Sequence, residues 1–167
     1  MQLSQITLGV LLLTLPACGG DGAEAPTASV SLPESYFSAT VSGDPLDVVD
    51  LREASSVGSE VTVQGKVRDL FESAAFTLAD HSLVSCADMG DDDHCKTPWD
   101  YCCEDPDALV AGTVVVEFRE GERVRKEKVR GFHGLDNLSR VVVTGELTED
   151  SVGNLSVIAS SLHIEKP

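Results

Sequence analysis

Gly58 to Val67 reads GSEVTVQGKV, and its alternation decides the fold. Val61, Val63, Gly65 and Val67 fall on one side, and Thr62, Gln64 and Lys66 on the other. This is the two-residue period of a strand with one face in a core. A glycine inside such a strand marks a bend or a close backbone approach. Further along, Phe76 and Leu78 alternate with Thr77 and Ala79 in a second strand ending at Asp80. Thr113 to Phe118 (TVVVEF) is a third, with Val114, Val116 and Phe118 on one face. Val141, Val143, Gly145 and Leu147 form the fourth main strand, and Leu155, Val157 and Ala159 begin a fifth. Leu162 and Ile164 have the opposite parity, so a bulge or bend is expected near Ser160.

The connecting segments are less regular. Arg119 to Arg130 holds six of the twelve basic residues, interleaved with Glu120, Glu122 and Glu127. It reads as a solvated hairpin turning at Glu120-Gly121, with a charged edge strand over Arg123 to Arg130. Gly134 to Ser139 suits one helical turn. Pro45 to Ala54 fits either a short helix or an extended lead-in.

Five curved strands, a glycine inside the first, and a short helix before the fourth resemble an OB-fold. GSEVTVQGKV, FTLAD, VVVTGEL and GNLSVIASSLHI look like its successive strands, over about residues 58–166. The resemblance implies an all-β chain: a small five-stranded OB-like barrel domain over 44–167, with a long Cys-rich acidic insert at 80–111. OB-folds are used mostly to bind oligonucleotides, sugars or proteins, and the fold alone assigns no ligand. With its TPWDYCC segment, the whole chain is also similar to a group of bacterial lipoproteins with no assigned activity.

The N-terminus reads as an address. Ile6 to Leu15 is apolar, too short to span a bilayer as a helix, and suited to the core of a signal peptide over residues 1–17. Leu15-Pro16-Ala17-Cys18 resembles a bacterial lipobox, which implies lipidation of Cys18 and anchoring to a bacterial membrane. The domain would then face the periplasm or the cell exterior. Gly19 in place of Asp implies an outer membrane where the cell has one. Pro16, and the lack of Lys or Arg before the apolar run, depart from the pattern. Residues 18–43 are rich in Gly, Ala, Ser, Thr and Pro and read as a flexible tether, with a reach on the order of 25–30 Å. Tyr36 and Phe37 interrupt it as candidates to dock on the domain.

Four of the five cysteines lie in Cys86 to Cys103, CADMGDDDHCKTPWDYCC, with the only Trp. In an exported chain, Cys86, Cys95, Cys102 and Cys103 read first as two disulfides. Cys86 and Cys95 each bond one member of the adjacent pair, in an order the sequence leaves open. Under this reading there is no cofactor. The alternative is a zinc or copper site formed by the same four thiolates with His94. It lacks the C-x2-C spacing of zinc knuckles. Asp88, Asp91, Asp92 and Asp93 offer oxygen ligands, but no complete EF-hand loop is present. Trp99 and Tyr101 either pack over the disulfides as a small core or serve as an aromatic anchor for a partner.

Charge ranks the chemistry. The chain carries 12 − 28 = −16, and Asp80 to Asp107 alone carries 1 − 9 = −8. A negative field raises thiol pKa values and penalises a thiolate nucleophile. It favours a cation or a basic protein as partner and disfavours nucleic acid. The basic hairpin also lacks Phe, Tyr and Trp for stacking bases, which weakens an oligonucleotide-binding alternative. His81, His133 and His163 are scattered, and no Ser-His-Asp order, P-loop or HExxH motif appears. The expectation is a membrane-anchored, non-catalytic binding or structural domain that presents a disulfide-pinned acidic loop.

Overall fold

The computed structural model describes residues 31–92 and 95–165. Five long strands make the domain: β1 (Glu60–Leu70), β2 (Ala75–Ala79), β3 (Thr113–Glu117), β6 (Arg140–Glu149) and β7 (Leu155–Ile164). Two short ones, β4 (Arg119–Glu120) and β5 (Arg123–Val124), form a separate hairpin. The long strands close into a ring in the order β1-β2-β3-β7-β6. All neighbours are antiparallel except β3 and β7, which run parallel. This is the OB-like barrel that the strand pattern predicts.

Closure depends on β1 serving two neighbours. Its first half pairs with β6 and its second half with β2, the two ladders overlapping at Lys66. The strand turns between them at Gly65, where an added Cβ would collide with the Ala79 carbonyl oxygen. Gly145 on β6 plays the matching part, because a Cβ there would collide with the backbone of Ile158 on β7. Two bulges complete the curvature. One leaves Arg68 without a partner between Val67 and Asp69. The other leaves Ser160 extra opposite Thr144 and Gly145, where the parity change in the sequence asks for it.

Inward residues fill the ring: Val61, Val63 and Val67 from β1, Phe76 and Leu78 from β2, Val114 and Val116 from β3, Val141, Val143 and Leu147 from β6, and Val157 and Leu162 from β7. Helix α1 (Val48–Ala54) resolves the ambiguous lead-in and buries Val48 and Leu51 where β1 and β3 begin. Ser31 to Phe37, which composition places in the tether, belong structurally to the domain. Leu32 is buried in the core, the Tyr36 hydroxyl donates to the Arg119 carbonyl at 2.9 Å, and Phe37 bridges to Leu162.

Two connecting segments differ from expectation. Of the expected strand over Arg123 to Arg130, only Arg123 and Val124 join a ladder and Lys128 adds a single bridge to Ser31, because the ring is already closed and has no edge for the rest. The helical turn falls at Phe132–Gly134, itself broken at His133 with φ of 47°, and not at Gly134 to Ser139, where Leu138 with φ of 63° lies outside helical space. Among the described residues, no helix is long and apolar enough to cross a membrane.

Gly145→Ala is expected to lower stability by about 1–3 kcal/mol or more, as overpacking against a backbone that cannot yield. The check is a urea unfolding midpoint that falls while the m-value holds.

Candidate functional site

The insert leaves the barrel at Asp80 and returns at Gly112, and the Asp80 amide donates to the Gly112 carbonyl at 2.8 Å. The Asp80 carboxylate is 3% exposed and accepts from Val49 N at 2.9 Å, Ser82 N at 2.8 Å and Ser82 Oγ at 2.6 Å. One side chain thus closes the neck of the insert and satisfies an otherwise orphaned amide in the first turn of α1. Burial pushes the Asp80 carboxyl up, but hydrogen bonds from Ser82 and Val49 outweigh it and hold it below the usual range. Helix α2 (Pro106–Ala111) finishes the insert. Asp105 caps it, accepting from Asp107 N and Ala108 N, with Pro106 at its start.

Between these ends the insert lies over the outer face of β1. Lys66 Nζ contacts both Asp88 oxygens, at 2.9 and 2.7 Å. The same carboxylate accepts from Ser85 N at 3.0 Å and Ser85 Oγ at 2.7 Å. Burial pushes the Asp88 carboxyl up, while Lys66 and Ser85 bring it below its ordinary value. The bulge residue Arg68 sets its guanidinium 5.9 Å from the Tyr101 ring centroid, within cation–π range.

Tyr101 is fully buried, in a small core of its own with Ala79 and Leu83, flanked by Ala108, Leu109 and Leu138. This corrects its candidacy as a partner contact, because no part of its ring reaches the surface. Its hydroxyl has no hydrogen-bond partner among the described residues, and burial, with the charge of Asp88 adding to it, pushes its pKa up to about 12. Trp99, two residues earlier, remains 42% exposed.

Backbone bonds fold the insert onto itself. Cys86 N donates to the Asp100 carbonyl at 2.8 Å and Ala87 N to the Pro98 carbonyl at 2.7 Å. This pairing gathers the sulfurs. Cys102 Sγ lies 3.3 Å from Cys95 Sγ, 3.5 Å from Cys86 Sγ and 3.9 Å from Cys103 Sγ. Cys86, Cys95 and Cys102 offer sulfurs that all lie within 4.8 Å of one another. No disulfide joins the four described cysteines. Cys86 is buried, and burial pushes its thiol up. Cys18, His94 and Asp93 lie outside the described residues.

The remaining histidines have structural neighbours. His81 Nδ1 lies 3.2 Å from Asp47, and His163 Nδ1 lies 2.9 Å from the Ser38 carbonyl. His133 stacks on Phe37 with ring centroids 3.7 Å apart and contacts Glu34 at 2.7 Å. The basic hairpin is laced with acids. Arg119 pairs with Glu117, Arg125 with Glu120 and Glu127, Lys128 with Glu72, and Arg130 with Asp136. Sequence reasoning missed Asp80, Lys66 and Arg68 as anchors of the insert. The spacing Asp80-x-Ser82 carries an Asx-turn signal for the first. Nothing in the sequence pairs Lys66 with Asp88.

A closed ring of five strands with a cysteine-rich insert between its second and third strands defines an OB-like domain. No family model matches the chain, and no curated protein matches it. Among solved structures it is similar to the hypothetical protein ygiW from E. coli, at 12% identity and a TM-score of 0.42, covering 74% of this chain and 91% of that one. It is also similar to the OBody AM1L10 bound to hen egg-white lysozyme, at 16% identity and a TM-score of 0.38, covering 66% and 82%. Aspartyl tRNA synthetase from Entamoeba histolytica matches at 12% identity and a TM-score of 0.46, covering 98% of this chain and 30% of that one. At these values the fold rests on the strand order itself.

Asp80→Asn is expected to cost about 1.5–3 kcal/mol near neutral pH, the loss of hydrogen bonds to a buried charge. A carboxyl held below its ordinary value stabilises the fold above its unfolded pKa, and that contribution fades as pH falls through the folded value. The difference in melting temperature between wild type and Asp80→Asn should therefore shrink below about pH 4. A gap that stays constant down to pH 2 would contradict this role.

Proposed function

We propose that this chain is an exported protein, lipidated at Cys18, whose OB-like barrel is a non-catalytic platform for a binding insert. The insert is clasped by two disulfides, one from Cys86 and one from Cys95 to the Cys102–Cys103 pair. Its acidic rim favours a cation or a basic protein, and Trp99 is its aromatic contact. The membrane is reached through the lipid, with the domain facing the periplasm or the cell exterior.

The observation that carries this reading is that Cys102 Sγ lies 3.3 Å from Cys95 Sγ and 3.5 Å from Cys86 Sγ, with Cys103 next to it in the chain to take the second bridge. Small side-chain rotations bring such atoms into bonding distance, and export supplies the oxidising setting. Closing loops this short stabilises them by roughly 2–3 kcal/mol each in the entropic account. The non-catalytic part is supported by Cys86, whose buried thiol is held up in pKa and makes a poor nucleophile at neutral pH.

One observation favours a second reading, a zinc or cuprous copper site on the same cysteines. Four thiolates around zinc at about 2.3 Å stand on the order of 3.8 Å apart. Cys86, Cys95 and Cys102 already lie within 4.8 Å of one another. The surrounding carboxylates would favour a bound cation.

Intact mass and metal content of the exported protein separate the two. The disulfide reading expects a gain of two hydrogens per bridge on reduction under denaturing conditions, with no stoichiometric metal. Four free thiols with bound zinc or copper, lost in Cys95→Ser, would replace it with the metal reading. Four free thiols without metal would defeat both.

A further inference from the structure

Beside the insert, a cleft of about 560 Å3 is lined by Trp99, by Asp69 of β1, and by Arg130, Asp136, Asn137 and Leu138 of the segment leading into β6. Its size falls within the range of small-molecule sites, about 300–1,000 Å3. Three features set it apart from ordinary surface.

The first is the indole. Trp99 stays 42% exposed although the small core two residues away takes in all of Tyr101. A flat apolar face is therefore held at the rim of a polar cleft. The second is a polar wall whose members fix one another. The Arg130 guanidinium donates to the Asp136 carboxylate and, at 2.9 Å, to Asn137 Oδ1. Asn137 Nδ2 in turn donates to the Arg68 carbonyl. The third is backbone strain. Leu138 has φ of 63°, a left-handed conformation that a leucine seldom adopts, and its amide is held by the Val67 carbonyl at 2.7 Å. Strain of this kind persists where its surroundings over-determine it, and it concentrates at ligand sites.

We propose that the cleft binds an uncharged saccharide, one ring lying on the Trp99 indole and its hydroxyls bonded by Arg130, Asn137 and Asp69. The proposal rests on the reading of Trp99 as a binding contact and names its ligand; it holds for either state of the sulfurs. A sugar ring has an apolar C–H face and an edge of hydroxyls that both donate and accept. The indole supplies the matching platform. Guanidinium and amide N–H groups supply donors, and the carboxylates of Asp69 and Asp136 supply acceptors. Charge narrows the class. Each carboxylate of the cleft already has its guanidinium, Asp136 with Arg130 and Asp69 with Arg68 at 3.3 Å, so no unpaired charge calls for an ionic ligand, and the chain's net charge of −16 repels anions. Arg130 in the same wall opposes a lysine-like cation.

Trp99 is the only tryptophan, so its emission reports the cleft directly. The full-length chain is titrated with triacetylchitotriose and cellotriose as neutral probes, a uronic-acid trisaccharide as an acidic one, and pentalysine as a basic one. A saturable emission shift with a neutral probe and none with the acidic one is expected. By calorimetry, Arg130→Gln, Asn137→Ala and Trp99→Ala should each weaken binding roughly tenfold or more, with Trp99→Phe intermediate and circular dichroism unchanged. A shift with pentalysine alone overturns the saccharide and leaves the acidic binding surface standing. No shift with any probe removes both the saccharide and Trp99 as a contact. Equal binding of the acidic and neutral probes, or full affinity in Trp99→Ala, overturns the assignment.

Discussion

β1 is covered on both faces, and the rest of the domain follows from that. Its inward valines build the barrel core, while its outward Gln64, Lys66 and Arg68 carry everything laid over it. Gln64 Nε2 reaches Asp47 just before α1, at 3.1 Å. Lys66 takes Asp88, and Arg68 meets Tyr101. A strand in this position must bend between two sheets while holding its outer side chains in register, and Gly65 and the bulge at Arg68 serve those two needs. The bulge also matters for aim. By adding one residue it re-orients a side chain that would otherwise follow the pleat, and that side chain faces the aromatic ring at the centre of the insert.

Charge in the insert is handled unevenly. Asp80 and Asp88 sit among donors and take part in folding, each kept ionised by bonds that outweigh burial. Asp105 caps α2. Glu104 and Asp100 accept from the Val84 and Tyr101 amides, so the described carboxylates of the insert serve its fold as well as its surface charge. Local pairing also describes the basic hairpin. Most of its arginines and lysines already face a glutamate or aspartate, so much of the charge of six cations in twelve residues is matched locally. Arg130 reaches forward out of the hairpin, to Asp136 and Asn137 at the edge of the Trp99 cleft.

The two ends of the ring are closed by segments distant in sequence. α1 is joined to the neck of the insert through the Asp80–Val49 bond, so the insert and the plug over that end share an anchor. Near the end of β3, Tyr36 meets Phe118 edge to face at 5.0 Å, and Leu32 and Phe132 join the core. The chain that leads toward the proposed membrane anchor thus enters the domain through packed contacts, and the insert hangs from a scaffold fixed at both ends.

The sequence by itself determined the five strands of the ring, their inward faces, the glycine that bends β1 and the bulge at Ser160, because a half-buried strand writes its burial into every second residue. It also located the insert and grouped the four cysteines within it. It missed Asp80 as a cap for α1, because the helix and its cap are 31 residues apart and meet only once β2 and β1 pair. It left Trp99 and Tyr101 equivalent. Their opposite fates follow from Arg68 and Leu138, which cover one ring and leave the other open. Local periodicity records which way a side chain points. Which distant group it meets is fixed only by the closed ring, since closure is what brings the outer face of β1, the neck of the insert and the segment before β6 to one place.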